Sequence, residues 1–233
     1  MSKTIGILGG MTPESTVTYY QHITRTYIER YGNYGFPPII VHSVSFQQYE
    51  DWMLAGEWNA IAEGLTKAVI SLKNGGADFI VIATNTMHKV FHLIQKKSPL
   101  PLISIIDATA EEIQKRKMET VGLLGTIFTM KESFYKDGLK NHGIRTLVPE
   151  ALDQDIVNQI IFDELGRGIL KQESREQYIE IVRRLHEKGA EGVILGCTEI
   201  PLLIKEEDCG VPLFDTAVIH AEKALEVALS NTE

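Results

Sequence analysis

The chain has 233 residues, enough for one large domain or two small ones with a substantial core, and its 44% hydrophobic and 23% charged residues are ordinary for a globular protein. With 31 acidic against 23 basic residues the net charge is −8, and no run of basic residues is longer than three, which argues against nucleic acid and anionic membrane as partners. The apolar run after Met1 breaks at Gly9-Gly10, too soon for a secretory h-region, and no apolar stretch elsewhere reaches 18 residues, so the expected location is the cytoplasm. The two cysteines, Cys197 and Cys209, lack CxxC spacing, so neither a disulfide framework nor a structural metal is expected.

Residues 3–8 (KTIGIL) read as a short strand closed by the turn Gly9-Gly10-Met11. Thr12 then suits an N-cap, with Pro13 at the first helical position and Glu14 in the first turn, and the helix reaches about Arg30. Such a strand–turn–helix unit offers backbone N–H groups to an anion, but the spacing is not GxGxxG and no acidic residue stands where a ribose would need one, so no dinucleotide is expected. A strand follows over residues 39–44. Residues 46–58 (FQQYEDWMLAGEW) read as irregular: either a surface loop leading into a helix or a lid over a pocket, with Gln47, Gln48 and Met53 as candidate specificity residues. A helix over 60–72 stops at Asn74-Gly75-Gly76, and 79–82 is a continuous apolar run of the kind buried on both faces of a parallel sheet.

That run ends in Ala83-Thr84-Asn85-Thr86-Met87-His88, followed by a helix to about Gln95, a strand over 102–106 and a helix capped by Asp107. The order then restarts. TVGLLGT (120–126) echoes TIGILGG (4–10), and Thr129 with Glu132 reads as a capping box for a helix through Leu139. A second apolar run ends in Gly196-Cys197-Thr198-Glu199, and residues 211–217 echo 100–102 with 107–109. The offsets 122 − 6 = 116, 197 − 84 = 113 and 212 − 101 = 111 are nearly constant. The fold class expected is α/β, two similar domains from an internal duplication, each a parallel sheet flanked by helices. Residues 1–106 with 216–233 would form the N-terminal half and 107–215 the C-terminal half, the last helix returning to the first.

In open parallel sheets ligands bind beyond the carboxyl ends of the strands. The tips that qualify carry Gly10, Met11, Thr84, Asn85, Thr86, Thr126, Cys197, Thr198 and Glu199. Hydroxyl, amide and backbone donors suit a small carboxylate, and suit better the enediolate formed when its α-proton leaves. On the motifs GILGGM (6–11), ATNTMH (83–88) and GCTE (196–199), the chain resembles the aspartate/glutamate racemase family along essentially its whole length. The resemblance implies a cofactor-independent isomerase acting on an amino acid, aspartate or glutamate, as a homodimer, with the active site in the cleft between the halves. It also implies one catalytic residue on each side of the α-carbon. Cys197 matches the second position as the base; the first, usually cysteine, is Thr84 here, which would serve as proton donor. A threonine hydroxyl is a far weaker acid than a thiol, whose reference pKa near 8.5 a helix N-terminus can lower, so a lopsided enzyme is expected.

Other residues carry double readings. Glu199 either orients Thr198 or polarises a water, or merely complements a helix dipole. His88 either tunes a half-site or is a satisfied helix histidine; His42 and His220 carry no motif. No clean basic match for a distal carboxylate appears over 161–168, where Gly166 falls and Arg167 is near. Asp107 and Asp215 read as caps, and Asp215 with His220 lacks further metal ligands. No lysine sits in a motif for pyridoxal phosphate. Two other functions fit the scaffold: a one-cysteine decarboxylase or isomerase of small carboxylic acids, and a non-catalytic amino-acid sensor.

Overall fold

The structure, a computed structural model, describes residues 2–230; Met1 and residues 231–233, which fall within the expected N-terminal half, lie outside the described residues. The backbone divides into two compact units. The first runs up to Ala108 and takes in the chain from Ala217 onward; the second is Thr109–Thr216.

The first unit begins with β1 (Ile5–Gly9), five buried residues without a polar side chain. Such a strand is stable only with both faces covered. α1 (Pro13–Tyr31) starts on Pro13 with Glu14 in its first turn, and ends at Gly32, whose positive φ of 67° lets its N–H reach the Ile28 carbonyl. β2 (Ile39–Ser43), α2 (Phe46–Leu54), α3 (Trp58–Asn74), β3 (Phe79–Ile82), a 3-10 turn over Thr86–Val90, α4 (Phe91–Lys97), β4 (Leu102–Ile103) and the start of α5 (Ile105–Lys115) follow. The four strands form one parallel sheet in the order β2-β1-β3-β4. α3 buries Ile61, Leu65, Val69 and Leu72, a stripe at spacings of four and three that packs on the sheet.

Three local expectations are corrected. Residues 46–54 are a regular helix, because Tyr49 and Met53 at i, i+4 are both buried and Gly64 on α3 leaves room for the Tyr49 ring. β4 stops at Ile103, and α5 begins at Ile105 on a Ser104 cap, whose hydroxyl accepts from the Asp107 N–H at 3.2 Å; Asp107 thus lies in the first turn and is not the cap. Thr129 is buried inside a short helix instead of capping a long one, as described next.

The second unit repeats the plan. β5 (Thr120–Gly125) leads to α6 (Ile127–Lys131), capped by Thr126, then α7 (Ser133–Asn141), β6 (Arg145–Leu147) and α8 (Ala151–Asp163). α9 (Gln172–Glu187), β7 (Gly192–Gly196), α10 (Ile200–Leu203), α11 (Glu206–Cys209) and β8 (Leu213–Asp215) complete it. Its parallel sheet has the order β6-β5-β7-β8, the same as the first. Leu124, Val193 and Leu195 share a core with Val157 and Ile160 of α8 and with Tyr178, Ile181 and Leu185 of α9. The Tyr178 hydroxyl donates to the Val157 carbonyl at 3.0 Å, and Arg184 holds Asp153 with two nitrogens at 2.8 and 3.0 Å, so the two helices are tied by polar as well as apolar contacts.

The last helix, α12 (Thr216–Leu229), belongs with the first unit from Ala217 on. Ala217, Ala221, Ala224, Leu225 and Ala228 pack with Ile5, Ile7, Phe79 and Val81 and with Tyr19 and Ile23 of α1. Four alanines in that stripe let the helix lie close on the sheet. His220 is fully buried there: its Nδ1 accepts from the Tyr19 hydroxyl at 2.7 Å and its Nε2–H donates to the Ile103 carbonyl at 3.0 Å. Those two bonds use the neutral ring, and burial, followed by the proximity of His88, pulls its pKa down to about 3.

Two outcomes follow. Leu225→Ala removes a fully buried side chain and is expected to cost about 2–5 kcal/mol, read as lost amide-exchange protection in β1 and β3. His220 binds a proton in the unfolded chain below its ordinary value of about 6.5, while the fold refuses it down to about 3. Its contribution is therefore complete above pH 6.5 and is lost, at about 1.4 kcal/mol per pH unit, as pH falls through that window. Urea unfolding at pH 7 and pH 5 should show a smaller pH effect in His220→Phe than in the parent chain.

Candidate active site

Each sheet presents the carboxyl ends of its two central strands as a pair of polar turns. In the first unit β1 and β3 are paired through Leu8 and Ile82, and the chain beyond each pair gives Gly10 and Thr84. Gly10 has φ +91°, and a Cβ there would lie 2.4 Å from the Val44 carbonyl, so only glycine fits the turn. Its N–H is held by the Thr16 hydroxyl at 2.8 Å. The Ser15 hydroxyl bonds both the Thr12 carbonyl (2.8 Å) and the Ala83 carbonyl (2.9 Å), joining the β1 turn to the end of β3. Met11, Thr84, Asn85 and Thr86 are all buried at this edge.

His88 is the pin under that turn. Its Nδ1 lies 2.8 Å from the Thr84 carbonyl, and the Ile105 backbone N–H donates to its Nε2 at 3.0 Å. An N–H aimed at Nε2 leaves the ring proton on Nδ1, so the imidazole donates to Thr84 and is a neutral, single tautomer. It stacks on Phe91 with the rings 8° from parallel, and burial holds its pKa at about 4 against the upward pull of the Thr84 bond and of Asp107. The satisfied-histidine reading is what the structure shows, and it acts on the peptide of the candidate donor.

In the second unit β5 and β7 pair through Gly125 and Gly196, and the next residues are Thr126 and Cys197. Thr126 caps α6, accepting from the Thr129 N–H at 3.4 Å, and the Asn158 side chain of α8 accepts from the Ile127 N–H at 2.8 Å. Half-buried Cys197 points its thiol at the buried carboxylate of Glu199, Sγ to Oε2 2.9 Å, and the Thr198 hydroxyl reaches the same oxygen at 3.0 Å. Burial of the sulfur, then the charge of Glu199, push the thiol well above its ordinary value, and the N–H groups of Glu199 and Thr198 only partly oppose this. A thiol lowered by a helix N-terminus is thus not what the fold provides. The resting group is S–H donating to a carboxylate.

The remaining candidates are dispersed. Gln47 and Gln48 are exposed on α2, and Gln47 bonds Glu50 and Asp51 of its own helix. Met53 is buried on the opposite face of that helix. Arg167 pairs with Asp163 at 3.9 Å on the surface. His42 lies within β2, and Asp215 is the last residue of β8. Among the described residues no group of three or more His, Cys, Asp or Glu is disposed to hold a metal, and no helix is long and apolar enough to cross a membrane. Sequence reading missed Asn158 and Tyr178. The Tyr178 hydroxyl is raised well above its ordinary value by burial and then by Cys197, Glu164 and Glu199, which marks it as a neighbour of the thiol; no motif announces either residue.

Comparison with known proteins identifies the family. The family model described as Asp/Glu/Hydantoin racemase matches residues 8–224. A broad-specificity amino-acid racemase of Bacillus subtilis, RacX, is 24% identical over 97% of this chain and 98% of its own. Among solved structures, an aspartate racemase homologue from Pyrococcus horikoshii is 41% identical with a TM-score of 0.85, covering 97% of this chain and 99% of that one. A candidate Asp/Glu racemase from Yersinia pestis is 42% identical with a TM-score of 0.91 at the same coverage. An arylmalonate decarboxylase, 14% identical over 97% of this chain and 92% of its own with a TM-score of 0.55, shares the fold alone. With a family match over nearly all its length, the chain belongs to the Asp/Glu/hydantoin racemases and is an isomerase of the amino-acid racemase type.

Proposed function

We propose that the protein interconverts the enantiomers of aspartate and glutamate without a cofactor, with Cys197 and Thr84 working on opposite faces of the α-carbon. The observation that carries this is the 2.9 Å contact between Cys197 Sγ and Glu199 Oε2, which gives a buried thiol a place to put its proton. Supporting it are the matched positions of Thr84 and Cys197 beyond β3 and β7, and relatives described as an aspartate racemase homologue and a glutamate racemase.

The S–H proton passes to Glu199, and the thiolate takes the α-proton from the enantiomer that presents it. The electron pair left behind spreads into the carboxylate as an enediolate. Neutral donors such as Asn85, Thr86 and Thr198 stabilise it without neutralising it. The Thr84 hydroxyl donates its proton to the other face, and solvent reprotonates Thr84 while removing the proton on Glu199. Run backwards, Thr84 would have to abstract, and a hydroxyl is a far poorer base precursor than a thiol. Because the enantiomers have equal free energy, inversion has the same kcat/KM in both directions. The asymmetry shows in exchange instead: the enantiomer that faces Cys197 trades its α-proton with solvent faster than it inverts, and the other does not.

Proton NMR of L- and D-aspartate and glutamate in D2O is the direct test. Loss of the α-proton signal from one enantiomer much faster than from the other, abolished in Cys197→Ala, is the expected outcome. Exchange that survives Cys197→Ala would move the base elsewhere. Binding without exchange would favour a sensor, and release of carbon dioxide from a malonate-type acid would favour a decarboxylase.

Glu199→Gln separates the carboxylate's two effects. Removing its charge lowers the thiol pKa, so alkylation by iodoacetamide at pH 8 should speed up. Removing the proton acceptor should at the same time slow α-proton exchange by about 10²–10⁴-fold. Equal slowing of both would mean that Glu199 only supports the fold.

A further inference from the structure

The two groups assigned to the α-carbon are placed by different means. The Cys197 sulfur is held directly, by the Glu199 carboxylate at 2.9 Å. The Thr84 side chain is buried, and its hydroxyl makes no hydrogen bond among the described residues. A β-branched side chain has few rotamers, so where that hydroxyl stands is decided by the backbone that carries it.

That backbone is tied on both sides of the residue. Upstream, the Ala83 N–H donates to the Leu8 carbonyl at 2.9 Å, and the Ala83 carbonyl accepts from Ser15 at 2.9 Å. The Thr84 N–H closes a tight turn on the Ile82 carbonyl at 2.8 Å. Downstream the tie is a side chain: the Thr84 carbonyl accepts from His88 Nδ1 at 2.8 Å.

His88 is itself fixed. It is buried, its Nε2 accepts from the Ile105 N–H at 3.0 Å, and its ring stacks on Phe91 with centroids 5.0 Å apart. His220 stands edge-on to it at 6.1 Å and donates to the Ile103 carbonyl. The residues on either side of Ser104, where β4 gives way to α5, thus each bond an imidazole. Burial holds the His88 pKa at about 4, so the ring is a neutral donor throughout the neutral range. With its N–H spent on a carbonyl and its lone pair on an amide, it has no site left for a substrate.

We propose that His88 is the positioning residue of Thr84: it fixes the carbonyl of the donor residue on the β4–α5 junction, and so aims a hydroxyl that has no hydrogen bond of its own. His88 then governs inversion, which needs the Thr84 proton, far more than exchange through Cys197. The assignment rests on the reaction described under Proposed function and adds to it a residue that touches no reacting atom.

The test follows, in one D2O sample, loss of the α-proton by NMR and inversion by chiral chromatography. Aspartate and glutamate are supplied as the enantiomer that exchanges faster. The readout is the ratio of inversion to exchange, which a loosened fold leaves alone because it slows both. His88→Phe removes both ring bonds and keeps an aromatic ring beside Phe91. His88→Asn restores a donor near the place of Nδ1, and His88→Gln an acceptor near that of Nε2. In His88→Phe and His88→Gln the ratio should fall about 10–100-fold, with exchange changed less than about threefold. His88→Asn should recover most of the ratio, although it lacks the acceptor for Ile105 just as phenylalanine does. Should His88→Phe melt early, the comparison of His88→Gln with His88→Asn carries the test. A ratio within about twofold of the parent in His88→Phe and His88→Gln, or one in His88→Asn as low as theirs, would overturn the assignment and leave the reaction standing. If the parent exchanges without inverting, or does neither, the reaction falls and takes the role of His88 with it.

Discussion

A strand buried on both faces can be polar only at its tips, and the candidate chemistry of this protein follows from that constraint. β3 and β7 are buried from end to end, so no reactive side chain can stand along them. Parallel pairing puts all the carboxyl ends of a sheet on one edge, where the chain must turn and where helix starts supply N–H groups. Thr84 and Cys197 are each the first side chains past that limit that can exchange a proton. The same strand order in both units puts Thr84 and Cys197 at matching places beyond the third strand of their sheets.

Divergence reaches the supports as well as the tips. The first tip is held by a neutral histidine that donates to the Thr84 carbonyl, an arrangement that fixes geometry and adds no charge. The second places a carboxylate against the thiol, which raises the cost of a bare thiolate and offers a route for its proton. Burial sets the direction in both: it keeps His88 neutral and Cys197 protonated.

Much of the fold was legible because the duplication repeats apolar runs at constant spacing, and a run such as FIVI or GVILG has few alternatives to a buried parallel strand. The failures share a cause. Residues 46–54 look irregular because only Tyr49 and Met53 of the helix are buried, and that stripe makes sense only once α3 offers a glycine opposite. Thr129 and Glu132 mimic a capping box, yet Thr126 captures the cap because the Asn158 side chain, 31 residues on, steadies the adjacent N–H. The tips themselves could be read from residue type and spacing. The roles of His88 and Glu199 could not, since they depend on which atoms come within 3 Å of them across a turn.

The route of the chain also has a consequence for how the molecule is made. The second unit is one continuous segment, whereas the first draws its covering helix from the far end of the sequence. On the ribosome, Ile5, Ile7, Phe79 and Val81 emerge early and wait for Ala217–Ala228 before that face of their sheet is closed. Everything between can mature first. The nascent chain therefore carries an open apolar sheet until α12 has emerged, and the segment around α12 is where completion of the first core and escape from aggregation coincide.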